Sequence, residues 1–140
     1  MTSLNHSGLW LALSLSAVAG FVDAIGFITL GGYFVSFMSG NSTRLAAAAA
    51  GLAWRDALFG LGLVALFVAG VAAGHLIGRN ARARTRRLLL VEAVLLLAAA
   101  WCFGSGFTLP AIPMMVLAMG IANAVLGRDG APAIGVTYMT

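Results

Sequence analysis

An all-α polytopic membrane protein is the fold class this sequence predicts, on three observations. Of 140 residues, 61% are hydrophobic and 9% charged, and the mean hydropathy of +1.02 is far above that of a soluble globular domain. Apolar windows of about 20 residues, enough to cross roughly 30 Å of hydrocarbon, follow one another along the chain. Five of the eight arginines fall between Arg79 and Arg87, separating two such windows, as a cytoplasmic loop under the positive-inside rule would. The expectation is one integral membrane domain over residues 1–140, with about five full transmembrane helices and a partial sixth.

Residues 8–30 form the first expected span, interrupted by Asp23. Leu30, Gly31 and Gly32 turn the chain into a second, Tyr33 to Ala53, so that residues 8–53 make a helical hairpin. Trp54, Arg55 and Asp56 mark the next interface, where an aromatic ring and charges leave the hydrocarbon. The third span is Ala57 to Gly78, and its Gly62, Gly70, Gly74 and Gly78, at multiples of four, predict a ridge without side chains for close helix packing. Leu88 to Phe103 is the fourth, closed by Gly104-Ser105-Gly106 and by Pro110 and Pro113, which favour a turn. Ile112 to Gly127 is the fifth, Arg128 to Gly130 a short loop, and Ala131 to Thr140 half of a sixth span.

Two copies of one hairpin are written into this order. AVAGFVDAIGFITLGGYFVSFMS, starting at Ala17, returns as AMGIANAVLGRDGAPAIGVTYMT, ending at Thr140. Gly20, Asp23 and Ala24 align with Gly120, Asn123 and Ala124, and after a one-residue insertion Val35 to Ser39 align with Val136 to Thr140. The second hairpin, residues 112–140, is therefore incomplete beside the first, and a longer parent chain is expected. With the basic loop inside, alternation puts the N-terminus and Arg55 outside and Arg128 inside, and spans one and five point the same way. A re-entrant half-helix in place of span two or four would reverse that parity and give the inverted repeat of many transporters.

Asp23 is the most informative residue, because a carboxylate within the bilayer costs about 2.5 to 3.5 kcal/mol on insertion scales. Counting from Gly31, Asp23 lies as far before the turn as Ser39 lies after it, so two helical arms would put both at one depth, with Asn41 slightly further on. Asn123 and Thr140 repeat the layer in the second copy. The segment Phe37 to Arg44 packs Ser39, Asn41, Ser42, Thr43 and Arg44 around Gly40, a composition that favours an unwound turn lining an internal site. Arg44 shares a face with Asn41 and could reach Asp23 or snorkel outward. Interhelical hydrogen bonding alone is the competing reading of these polar groups. His75 is expected to bond to a neighbouring helix, Glu92 to snorkel or pair with Arg86 or Arg87, and Cys102 to pack.

The chemistry of other classes is missing from the pattern. No cluster has metal-ligand spacing, no nucleophile elbow is present, and the glycine pairs lack the strand-turn-helix setting of a phosphate loop. No enzyme activity, cofactor, metal or nucleic-acid partner is expected. Asn41-Ser42-Thr43 spells a glycosylation sequon, which its depth argues against.

The stretch AGFVDAIGFITLGGYFVSFMSGNSTRLA, residues 19–46, resembles the signature of the YoaK-like family, small bacterial inner-membrane proteins grouped as a domain of unknown function. The likeness extends more loosely to Ala118–Thr140, where Ala122 departs from the polar residue often found before the second Asn. It implies a multi-pass protein of the bacterial inner (plasma) membrane, longer than this chain, and no established substrate. The expected function is a transporter or permease for a small solute or ion, with Asp23 as coupling carboxylate, Ser39, Asn41 and Asn123 as ligands and Arg44 as counter-charge. A non-transport scaffold, or a remnant that associates as a homo-oligomer, are the alternatives. The lipid bilayer is a partner under all of them.

Overall fold

The structure, a computed structural model, describes residues 6–78 and 84–125. Among them are five helices and no strand: α1 (His6–Thr29), α2 (Met38–Ala50), α3 (Trp54–Ile77), α4 (Arg84–Gly104) and α5 (Thr108–Val125). Four of these, α1, α3, α4 and α5, are long and apolar enough to cross a membrane. The expected spans one, three, four and five thus correspond to helices. The expected loop Arg128–Gly130, the half-span Ala131–Thr140 and the arginines at 79 and 82 lie outside the described residues.

Span two is corrected. Only its distal part, α2, is helical, and 13 residues at 1.5 Å each make about 20 Å, short of the hydrocarbon thickness. The non-helical stretch is 30–37 rather than the Gly40 neighbourhood. Helix α1 ends in a 6→1 bond from Gly32 N–H to Phe27 O, with Gly31 left-handed at φ 65°, a Schellman cap. Within α2 the hydroxyls of Ser42 and Thr43 donate to the carbonyls of Met38 and Ser39, so they are absorbed by the helix rather than unwinding it.

The order of contacts fixes the path of this segment. Asn41 bonds to Phe34 and, three residues on, Arg44 bonds to Gly31, so α2 passes the loop residues in reverse order. The chain dips from the end of α1 and climbs back along α2 to the level it left. Tyr33 Oη donates to Asp56 O, 3.0 Å, at the start of α3. The C-terminal end of α1 and the N-terminal end of α3 are therefore on one side, and these two helices are antiparallel.

Helices α3 and α5 run parallel and touch backbone to backbone. A Cβ on Gly70 would stand 2.7 Å from Leu117 O, and one on Gly74 2.8 Å from the Cβ of Ala124. The partner glycine is Gly120, whose Cβ would collide with Phe67 O and lie 2.9 Å from the Gly70 Cα. Of the four glycines of the expected ridge on α3, Gly70 and Gly74 face α5. A Cβ on Gly62 would meet nothing within 4 Å, and Gly78 faces Arg84 instead of α5. Every fourth residue drifts by about 40° around a helix, so a row of four cannot stay on one partner. The N-terminal half of α3 packs on the re-entrant segment, with Gly60 near Tyr33, Leu45 and Asn41 O.

Helix α5 is the centre of the bundle, holding Ala111, Val116 and Ala118 at 0% exposure. Pro110 and Pro113 lie inside it rather than breaking it: at Pro110, third in the helix, an N–H would have no helical acceptor, so that proline removes little, while Pro113, sixth, leaves Leu109 O without its helical donor. Since α1 is antiparallel to α3 and α3 parallel to α5, α1 and α5 run in opposite directions, the reverse of the sequence expectation. The cause is the missing crossing at α2.

Candidate functional site

Asp23 sits 7% exposed on the inner face of α1, six residues before its last helical residue, and its carboxylate is taken up by the returning loop. Oδ1 accepts the N–H groups of Val35 (2.7 Å), Ser36 (2.6 Å) and Phe37 (3.4 Å), and Oδ2 accepts the Ser36 hydroxyl at 2.6 Å. Three successive N–H groups converging on one oxygen form an anion nest, filled here by the protein's own carboxylate. Charge-assisted bonds of this kind are about twice as strong as neutral ones. They explain how an acid is held at this depth.

The hydroxyl partner is Ser36 and not the expected Ser39, which is exposed in the first turn of α2. The reason is rise per residue. Six helical steps from Thr29 back to Asp23 descend about 9 Å, whereas an extended chain covers about 10 Å in the three steps from Tyr33 to Ser36. Counting equal numbers of residues on both arms assumed two helices.

Asn41 is fully buried, at 0%, and works as a clip. Its Nδ2 donates to Phe34 O at 2.7 Å and its Oδ1 accepts the Phe34 N–H at 2.9 Å, replacing the strand partner that an extended residue lacks. Arg44 reaches neither Asp23 nor a ligand space. Its guanidinium donates to Gly31 O, 3.1 Å, and lies 4.6 Å from the centre of the Tyr33 ring, a cation–π contact. Gly32, at φ 95°, leaves room for it: a Cβ there would stand 2.9 Å from an Arg44 nitrogen. Asp23, Asn41 and Arg44 thus fasten the tip, the middle and the mouth of one re-entrant hairpin.

Asn123 belongs to a different surface. It projects from α5, and its Oδ1 is buried with no hydrogen-bond partner among the described residues. A small cavity separates it from Ser36, walled by Leu15 and Ala19 of α1, Phe67 of α3 and Met119 of α5. Its roughly 10 Å³ is about the least that admits one water molecule. Phe67 is near the middle of α3, so the hairpin tip stands at the mid-height of the bundle. Of the five expected site residues, the structure brings Asp23 and Asn41 to one loop, puts Arg44 at its mouth and Asn123 across from its tip, and leaves Ser39 outside.

Sequence reasoning missed Ser36 and Gly120. Both were marked: Val35-Ser36 and Val136-Thr137 repeat a hydroxyl at one register of the two copies, and Gly120 repeats Gly20. His75 bonds Val71 O in its own helix, at 2.9 Å, and not a neighbouring one. Cys102 is buried, as a packing residue would be. Glu92 neither snorkels nor pairs: it is 5% exposed, while Arg86 and Arg87 are exposed.

The chain matches, over residues 11–140, the family model described as "Protein of unknown function (DUF1275)". It is 40% identical over 135 residues to the UPF0700 transmembrane protein RA0705 of Rhizobium meliloti (strain 1021), an overlap covering 95% of this chain and 57% of that relative. The chain spans a little over half the length of the curated relative it matches. No solved structure matches it. The match and the four apolar helices agree on a multi-pass membrane protein.

Proposed function

The chain belongs to the DUF1275 family, and on that premise we propose that it forms part of a permease for a small solute or ion in the bacterial inner membrane. The observation that carries this reading is the re-entrant hairpin whose tip, Ser36, faces Asn123 across a cavity at mid-height. Non-helical backbone at membrane depth survives only inside protein or against a water-filled space, and transporters build their sites from such broken segments. Asp23, Asn41 and Arg44 hold the hairpin in shape. Ser36 and Asn123 present the polar atoms to the solute.

With the basic segment after α3 on the cytoplasmic side, α1 starts in the cytoplasm and the hairpin dips from the outer face. The two copies of the sequence repeat then take inverted sense, since α1 and α5 are antiparallel, which is the arrangement that alternating access uses.

Proteoliposomes and stopped-flow light scattering test the proposal with a panel of small neutral solutes and monovalent salts. Flux of at least one probe above that of empty vesicles is expected, and Asn123→Leu should abolish it while the melting temperature in detergent holds. No flux for any probe, or flux indifferent to Asn123→Leu, removes the reading. A scaffold remains the second one, favoured by the complete use of Asp23, Asn41 and Arg44 in internal bonds.

A further inference from the structure

We propose that Glu92 is an intramembrane proton-binding site, a carboxyl that carries a proton in the seam between α4 and α5. It lies on the buried stripe of α4 with Leu88, Ala99 and Cys102, on a helix that packs along α5. Its Oε2 is enclosed without a hydrogen-bond partner, and it forms no hydrogen bond or ion pair with any described residue.

Among the described residues no countercharge faces it. Helix α5 has no titratable side chain from Thr108 to Val125, and α3 has only Arg55 and Asp56 at its start and His75 near its end. The His75 Nδ1 is directed at Val71 O in its own helix. On α4, Arg86 and Arg87 are exposed, and the Arg84 guanidinium donates to Ala124 O at 3.1 Å. An unpaired ionised carboxylate at such a place costs several kcal/mol, and a neutral acid avoids that. The ligand is a proton and not a metal ion, because a hard divalent cation gathers about six oxygens and no group of three or more His, Cys, Asp or Glu stands together among the described residues. Asp23 is the contrasting acid: four donors already point at it. The site stands on this packing alone, independent of the permease reading.

Infrared spectroscopy of the protein in lipid at neutral pH tests it. A carboxylic-acid carbonyl band that shifts in D2O is expected, lost in Glu92→Gln and kept in Asp23→Asn. Peptide mass spectrometry of the unsubstituted protein, treated with a hydrophobic carbodiimide that attacks protonated carboxyls, should find the adduct on Glu92 and not on Asp23. Absence of the band at neutral pH, its persistence in Glu92→Gln, or an adduct confined to Asp23 overturns the proposal.

Discussion

The hairpin formed by the end of α1 and by α2 is held by polar bonds, whereas the α3–α4–α5 bundle is held by small residues and apolar contact. In the hairpin every buried polar side chain has a partner, Asp23, Ser36 and Asn41 among them, and Tyr33 and Arg44 are bonded as well. Among the described residues the three buried side-chain polar atoms without a partner, Arg84 Nε, Glu92 Oε2 and Asn123 Oδ1, all belong to α4 and α5. The contrast follows from the backbone. A continuous helix satisfies its own N–H and C=O groups, so the bundle needs only shape complementarity. An extended segment in a membrane protein satisfies none internally, so side chains must do it, and that requirement fixes Asp23 and Asn41 more tightly than a transport role would.

The largest expected effect follows directly. Asp23→Leu strands the N–H groups of Val35, Ser36 and Phe37, at about 1 to 3 kcal/mol for each unsatisfied buried donor, so the loss should be on the order of 3 to 9 kcal/mol. Unfolding in mixed micelles measures it, and hydrogen exchange should localise it to residues 34–37. Asp23→Asn sharpens the test, because its Oδ1 keeps the backbone donors and the Ser36 hydroxyl can turn to accept from Nδ2. Only the charge assistance goes, about 1 to 2 kcal/mol. That Asn123 aligns with Asp23 in the other copy fits this tolerance. If the two substitutions were equally harmful, charge and not capping would be the function of Asp23.

The bundle should break by volume instead. Gly120→Leu drives a side chain into Phe67 O and the Gly70 backbone, and overpacking of this kind costs about 2 to 3 kcal/mol. Gly62→Leu, on open surface, should stay within about 0.5 kcal/mol. The same unfolding experiment compares the two. A Gly62 variant as damaging as the Gly120 variant would show that another chain or segment covers that face.

What could be read in the sequence divides along the same line. Helices α1, α3, α4 and α5 were legible because their apolar runs have bilayer length, and Gly70 and Gly74 because small residues recur at helical spacing. That Asp23 is buried against hydrogen-bond partners was legible too, since an acid in such a run demands them. The re-entrant path was not. Tyr33 to Ala53 is apolar enough for a span, and only the pairing of Asn41 with Phe34 and Arg44 with Gly31, contacts between backbone and side chain with no sequence period, shows that the chain turns back. From that single misreading came the wrong hydroxyl at Ser39 and the wrong sense for α1 against α5. Glu92 was misjudged for another reason: Arg87 and Arg86 are near in sequence but five and six residues away, about 140° and 120° around the helix, so the helical period itself turns them off its face.

The smallest predicted difference isolates the geometric point. Ser36→Ala removes one bond to a carboxylate and leaves the backbone donors on Oδ1, for a loss of about 1.5 to 3 kcal/mol. Ser39→Ala removes a hydroxyl that is exposed and whose main-chain carbonyl, not its side chain, accepts from Thr43, so stability should change by less than about 0.5 kcal/mol. Had both arms of the hairpin been helical, the order would be reversed, because Ser39 would then stand level with Asp23. The sign of that difference, read from two alanine substitutions three residues apart, distinguishes a loop that dips and returns from a helix that crosses.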